Sequence, residues 1–357
     1  MYTLIVPTWR AGKDITFKED IIEEIGRCFG YTNVNPISPS RIMVPQDYSH
    51  VYLRRKIKQH WAYALGMREV CNYSLYDEQF LHRIGLVIPA PIVLKNPVSE
   101  NARRMITSLV PHLLKNIEQN CANEESLRFF EWGHIWLYDQ TKAAATDEMR
   151  GVIERVVSAG IAYSAQGNID FYEEKAGIQK LFSLLGLLVE WRSIQDLKSY
   201  ALWMNPLQTA ELVCQGKIIG YAGMVATEYV VALNRSSGEK GNAFACGLFI
   251  DVIAEIKPIE PHFVEPIKYQ PVDLDISMFV PFGVTIARLE ELLALVDVRI
   301  KDVILIDVFE QPSWHDKRSV TIRCRVQDDE KTMTKHDIEE IQTALHAAVV
   351  QCGAQVR

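Results

Sequence analysis

The 357-residue sequence lacks the cysteine pattern of a disulfide frame or a zinc site: its seven cysteines are odd in number, scattered and without a C-x-x-C pair. That usage implies reduced thiols. No apolar run approaches the roughly 20 residues needed to span a bilayer. The opening M-Y-T-L-I-V-P-T-W-R has neither the basic start nor the small-residue cleavage site of a signal peptide. A cytoplasmic protein with no membrane partner is therefore expected. Positive charge is not in excess either. Lys and Arg number 38 against 45 Asp and Glu, a net charge of −7, so any nucleic-acid contact must come from a local basic patch. The sequence also has no G-x-G-x-G-x-x-R, no P-loop, no G-x-G-x-x-G and no H-E-x-x-H, and His112 and His134 stand alone. No catalytic residue is expected.

What is present is a globular chain, 48% hydrophobic and 23% charged, long enough for two or three domains with separate cores. Near the start, Thr16-x-x-Glu19 reads as a capping box opening a helix whose buried stripe is Ile21, Ile22, Ile25, Cys28 and Phe29, stopped by Gly30. On its other side Asp20, Glu23 and Glu24 are neighbours at spacings of three and four, with Asp14 in the preceding loop. By itself this is a solvated acidic face. A hard cation such as magnesium would relieve the repulsion among four carboxylates. Residues 36–47, with three prolines and no periodicity, read as a linker. A helix is expected over 48–65, closed by Gly66, with Arg54, Arg55, Lys56 and Lys58 on a solvated face or a partner surface.

A strand is expected over 68–76 and an extended segment ending at Asn96-Pro97. Next comes a helix over 108–120 with Leu109, Val110, Leu113, Leu114 and Ile117 at helical spacing and Pro111 in its first turn. The aromatic run 127–136 reads as a buried strand. A strand-like run at 151–164 leads to a helix ending near Leu188, with Ile178, Leu181, Leu184 and Leu185 as its stripe. A hairpin turning at Gln215-Gly216 and a strand over 242–254 complete a middle α+β domain.

Residues 261–357 give the clearest pattern. Leu274, Ile276, Met278 and Val280 alternate with Asp275, Ser277 and Phe279. A helix follows with Thr285 near its cap and Ile286, Leu289, Leu292, Leu293 and Val296 inside. Strands at 303–309 and 319–326 come next, separated by a loop over 311–317. Thr334-x-x-Asp337 caps a helix burying Ile338, Ile341 and Leu345, and 354–356 make a last strand. The order βαββαβ is ferredoxin-like. Both helices then cover one sheet face, which leaves Phe279, Phe309, Arg323 and Arg325 on the other, available to stack on unpaired bases and neutralise phosphates.

Three segments carry a family resemblance. N-P-V-S-E…M-I-T-S-L-V-P-H-L-L…N with R-F-F-E-W-G-H-I-W resembles the synthetase-like core of the bacterial-type phenylalanyl–tRNA synthetase beta subunit. V-P-T-W-R-x-x-K-D-I-T-F-K-E-D-I-I-E-E-I-G-R-C-F-G-Y is similar to the end of the module preceding that core. L-I-D-V-F, K-T-M-T and the terminal G-A-x-V-R resemble its C-terminal anticodon-binding module. Two departures stand out: Ile106 occupies the position of an arginine usual before T-S-L, with Arg103 and Arg104 upstream, and Leu274 precedes Asp275 where Arg-Asp is common.

The resemblance implies an α+β chain: a metal-module end and linker (1–43), a catalytically inactive class II synthetase-like core built on an antiparallel sheet (44–260), and a ferredoxin-like anticodon-binding domain (261–357). It implies that Asp14, Asp20, Glu23 and Glu24 ligate Mg2+ at the interface with the alpha subunit of an alpha2beta2 heterotetramer. The alpha subunit would bind ATP and phenylalanine and charge tRNA(Phe). The family's N-terminal tRNA-binding and editing modules have no counterpart in this sequence, and Met1 falls inside the metal module, as in an excised fragment or a reduced form. A self-sufficient synthetase is disfavoured by the missing ATP motifs. A free-standing RNA-binding or regulatory paralogue is the rival reading, opposed by the carboxylate set.

Overall fold

Residues 3–89, 92–139, 151–194, 201–233, 241–260, 262–263, 265–311 and 313–357 are described in the computed structural model of the chain. They fall into two units, Met1–Ile259 and Glu260–Arg357.

The first unit begins with α1 (Lys18–Phe29), which ends at Gly30 in a positive-φ conformation suited to glycine. Its cap differs in register from the expected box. The Asp20 carboxylate, not Glu19, accepts the backbone N–H groups of Thr16 (2.7 Å) and Phe17 (2.8 Å). The expected buried stripe is not buried: no α1 residue is, and Ile22, Ile25 and Phe29 are 62%, 61% and 61% exposed. Periodicity identifies the apolar face of a helix, but no described residue covers this one. Residues 35–48 have no regular structure. α2 (Ser49–Gln59) then continues through one π-helical turn, His60–Ala64, to Gly66.

β1 (Arg68–Glu69) is shorter than the strand expected over 68–76. Beyond it the chain leaves the ladder because Asn72 gives its backbone N–H and its side chain to the buried Glu131 (2.7 and 2.9 Å). Within 70–76 a single bridge follows, Leu75 to Met105. The remaining elements are α3 (Glu78–Ile84), α4 (Val110–Asn120), β2 (Ser126–Tyr138), β3 (Val152–Ser164), α5 (Phe171–Leu184), β4 (Glu190–Ser193), β5 (Met204–Cys214), β6 (Lys217–Val225), α6 (Thr227–Leu233), β7 (Asn242–Phe249) and α7 (Ile250–Ala254).

They form a seven-stranded sheet, β1-β2-β3-β7-β6-β5-β4, antiparallel throughout except for β1 against β2. Both faces are packed, and alternate strand residues divide between them. Phe129, Ile161, Ala243 and Ala245 join α3 and α4 in one core. Phe130, Phe244, Cys246 and Leu248 join Ile57 and Trp61, with Ile178, Leu181 and Phe182 of α5, in the other. Gly160 lets Trp61 reach the sheet: a Cβ there would lie 2.6 Å from the indole, whose Nε1–H donates to Ser158 (3.1 Å).

Two expectations need correcting. In α5 the inward residue is Phe182, while Leu184 is exposed. The strand expected over 242–254 stops at Phe249, the last β7 residue paired with β3, and Ile250 and Ile253 bury themselves at helical spacing instead. The β5–β6 hairpin does turn at Gln215-Gly216, both at positive φ.

The second unit contains β8 (Val272–Pro281), α8 (Ile286–Ala294), β9 (Ile300–Phe309), β10 (Lys317–Val326), α9 (Lys335–Gln351) and β11 (Gln355–Val356), with sheet order β11-β8-β10-β9, all antiparallel. Thr285 caps α8, and Thr334 with Asp337 forms a capping box on α9. Leu289, Leu293, Ile341, Leu345 and Val349 pack on Ile276, Met278, Val280, Val320, Ile322 and Cys324. Both helices thus cover one face and leave the other open. This is a mixed α+β chain with a ferredoxin-like βαββαβ unit.

Candidate nucleic-acid interface and acidic set

On the open face of the second sheet, strand pairing puts Gln355, Phe279, Ser319 and Phe309 in one row across all four strands. Paired residues share a face, so both phenylalanines point away from the helices, as the alternation of Phe279 with the fully buried Met278 and Val280 requires. Phe309, on the edge strand, is 48% exposed. The loop between β9 and β10 brings a third ring to this row. Trp314 stands perpendicular to both phenyl groups, with centroids 5.2 Å from Phe279 and 5.8 Å from Phe309. The Lys317 ammonium lies 4.7 Å and the Arg357 guanidinium 5.8 Å from the Phe279 centroid. The sequence reading missed these three residues. The available signal was a tryptophan in an otherwise polar turn.

Arg323 and Arg325 lie further along the same face, opposite the buried Ile322 and Cys324. Both are engaged. Arg323 grips Asp275 through two hydrogen bonds (2.7 and 2.8 Å), and Arg325 grips Asp273 likewise (2.8 and 3.1 Å). These guanidinium hydrogen bonds hold both carboxyl groups below their ordinary range. The aspartates that alternate with the core residues of β8 thus neutralise the arginines of β10 across the ladder.

In the first unit the acidic side chains of the N-terminal region separate into two groups. Arg10 bridges Asp14 and Glu24 (2.7 Å to Glu24), and Arg27 also reaches Glu24 (2.5 Å). Hydrogen bonding from Arg10 lowers the Glu24 pKa. The Asp20 carboxylate faces the start of α1, and its pKa is lowered by the N–H groups of Phe17 and Thr16. Glu23 makes no side-chain hydrogen bond or ion pair among the described residues. The donor chemistry, four carboxylates, suits magnesium. The arrangement does not: Arg10 sits between Asp14 and Glu24, and no three His, Cys, Asp or Glu side chains among the described residues come together as a metal set.

The buried polar groups around α4 are structural in arrangement. The Tyr76 hydroxyl accepts the N–H groups of Thr107 (3.0 Å) and Ser108 (3.2 Å), and Ser108 meets the Tyr221 hydroxyl (3.0 Å). Tyr221 lies over Gly247, where a Cβ would come within 2.5 Å of its ring. Arg104 pairs with Glu78 (2.6 and 2.7 Å), while Ile106 is buried apolar. His134 hydrogen-bonds Glu154 (2.6 Å) and stacks on Trp136 (centroids 6.4 Å), and His112 Nε2 bonds the Leu75 carbonyl (3.0 Å). This network ties the segment before α4 to the loop after β1.

A ferredoxin-like unit with aromatic rings on its open face, preceded in sequence by a two-faced antiparallel sheet, describes a mixed α+β protein. Residues 268–357 match the ferredoxin-fold anticodon binding domain. Residues 36–234, more than half of the chain, match the phenylalanyl tRNA synthetase beta chain CLM domain. The chain belongs to the phenylalanyl–tRNA synthetase beta-chain family. Its relatives include the phenylalanine–tRNA ligase beta subunits of Geobacillus kaustophilus (28% identical over 367 residues), Bacillus subtilis (25% over 356) and Staphylococcus aureus (24% over 372). These alignments cover 100%, 98% and 99% of this chain but only 44%, 42% and 44% of the relatives. The chain thus spans less than half the length of the relatives it matches. No helix among the described residues is long and apolar enough to cross a membrane.

Proposed function

We infer that this chain serves as the beta-subunit portion of a cytoplasmic phenylalanine–tRNA ligase, supporting a catalytic alpha subunit in an alpha2beta2 assembly and binding tRNA(Phe). The observation carrying this reading is the collinear match of nearly the whole chain to relatives named as beta subunits. ATP and phenylalanine belong to the alpha subunit in this scheme, because the sequence has no ATP-binding glycine-rich strand and the buried histidines are committed to structural hydrogen bonds.

Residues 1–43 act as the end of a metal module with its linker, 44–260 as a class II synthetase-like core without catalysis, and 261–357 as the anticodon-binding domain. Phe279 and Phe309 stack on unpaired bases, and Arg323 and Arg325 reach phosphates by exchanging their aspartate partners. Asp14, Asp20, Glu23 and Glu24 would become Mg2+ ligands shared with the alpha subunit only once Arg10 releases Asp14 and Glu24 and the N–H groups of Thr16 and Phe17 release Asp20. The bound ion would supply charge neutralisation at that interface.

The test is reconstitution. With its alpha subunit the chain should support phenylalanine-dependent ATP–pyrophosphate exchange, and alone it should show none. Exchange by the chain alone, or failure to co-purify with any second synthetase-like chain, would overturn the reading.

A further inference from the structure

We propose that Trp314 is a base-binding residue: beside Phe279, it and the half-exposed Phe309 line a stacking slot for one unpaired RNA base, whose phosphate is met by Lys317 and Arg357. This rests on the reading that RNA uses the open sheet face. It adds a residue and a phosphate site outside the set Phe279, Phe309, Arg323 and Arg325.

The first support is the row itself. Phe279 and Phe309 lie on strands either side of β10, so their backbones are about 10 Å apart, too far for the rings to stack on each other. Between them stands Ser319, small and only 6% exposed although it points to the open face. The space above a small residue flanked by two phenyl rings is where Trp314 stands, perpendicular to both. A perpendicular indole makes a wall, and it leaves part of Phe309 open to a planar ligand. The indole Nε1–H has no partner among the described residues and so remains able to donate to a hydrogen-bond acceptor, which every base carries.

Charge is the second support, and it distinguishes the two ends of the face. Lys317 and Arg357 have no carboxylate partner among the described residues; each lies over Phe279. Arg323 and Arg325 are each held by two hydrogen bonds to an aspartate. A phosphate arriving at Lys317 and Arg357 breaks no ion pair, whereas at Arg323 and Arg325 it competes with Asp275 and Asp273. The aromatic end is therefore the anion-accepting end. An acidic or purely apolar partner fits worse: acidic side chains offer no ring to stack, and an apolar one leaves both cations unmatched.

The third support is that hydrogen bonds already hold the described residues on either side of Trp314. Trp314 N–H donates to the Gln311 carbonyl (2.9 Å), Phe282 N–H to that of Asp316 (3.2 Å), and Arg318 to that of Val284 (3.0 Å). A ring positioned before binding spares the entropy of ordering it.

The experiment uses the full chain and a fluorescently labelled RNA hairpin with a seven-nucleotide unpaired loop. Affinity is read by anisotropy at two salt concentrations, and folding is checked by circular dichroism. Removing a base-stacking ring lowers affinity about 5- to 150-fold, the equivalent of roughly 1–3 kcal/mol. Trp314→Ala should show that loss, and Trp314→Phe should recover most of it. Lys317→Ala should reduce the slope of log affinity against log salt by about one, and Arg323→Ala by less. RNA should quench tryptophan emission in the parent chain and not in Trp314→Phe. If Phe309→Ala weakens binding while Trp314→Ala and Lys317→Ala leave it unchanged, the slot is refuted and the sheet-face reading survives. If Phe309→Ala is also without effect in a folded chain, both fall.

Discussion

Replacing His112 by Gln should remove a specific acid sensitivity from the first unit. His112 lies on α4, 4% exposed and tilted against Tyr76 at 5.8 Å. Its Nε2 must be the protonated nitrogen, since it faces the Leu75 carbonyl, and its Nδ1 is buried without a partner among the described residues. Burial, with a smaller push from Lys115, brings the folded-state pKa down from 6.5 to about 4. The folded chain thus resists a proton that the unfolded chain accepts. Stability from this group is complete above pH 6.5, declines as pH falls toward 4, and then levels off. The slope approaches about 1.4 kcal/mol per pH unit, so the whole window carries about 3 kcal/mol. Gln keeps an N–H for Leu75 but has no titration. Urea unfolding of parent and variant, monitored at matched pH from 7.5 to 4, isolates the effect in their difference. The buried Glu131, whose pKa is raised by burial, is common to both and cancels. The difference should shift by about 3 kcal/mol in favour of the variant across that window. A difference that stays constant with pH would refute the assignment.

Two further outcomes are expected. If the chain assembles with an alpha subunit as proposed, Glu23→Gln with Glu24→Gln should weaken assembly and its magnesium dependence more than the chain's own melting temperature; normal, metal-independent assembly, read by gel filtration with and without chelator, would remove the four carboxylates from that role. In the same assembled enzyme, Phe309→Ala should lower tRNA affinity by roughly 1–3 kcal/mol, and Arg323→Ala and Arg325→Ala should each weaken it and flatten its salt dependence, whereas unchanged binding in all three would take the RNA contact off this sheet face.

The sequence by itself determined most of the local structure. Strict alternation in 273–280 established which face of β8 is core, because side chains on a strand have period two, and Pro111 with Leu113, Leu114 and Ile117 specified α4 through the period of the helix. Thr334 and Asp337 announced the start of α9 by local hydrogen bonding alone. Tertiary structure decided everything that depends on what stands opposite. The apolar side of α1 was legible, but whether anything covers it was not, since periodicity describes one surface and burial needs two. Arg323 and Arg325 looked like free cations until strand register set them against Asp275 and Asp273, some fifty residues away in sequence. Asp14 and Glu24 shared a motif with Asp20, yet Arg10 drew them together while the N–H groups at the start of α1 claimed Asp20. Trp314 is an unremarked loop residue in sequence. Its contacts with Phe279 and Phe309 came only from the pairing across β10, because loops carry no periodicity from which a direction can be read.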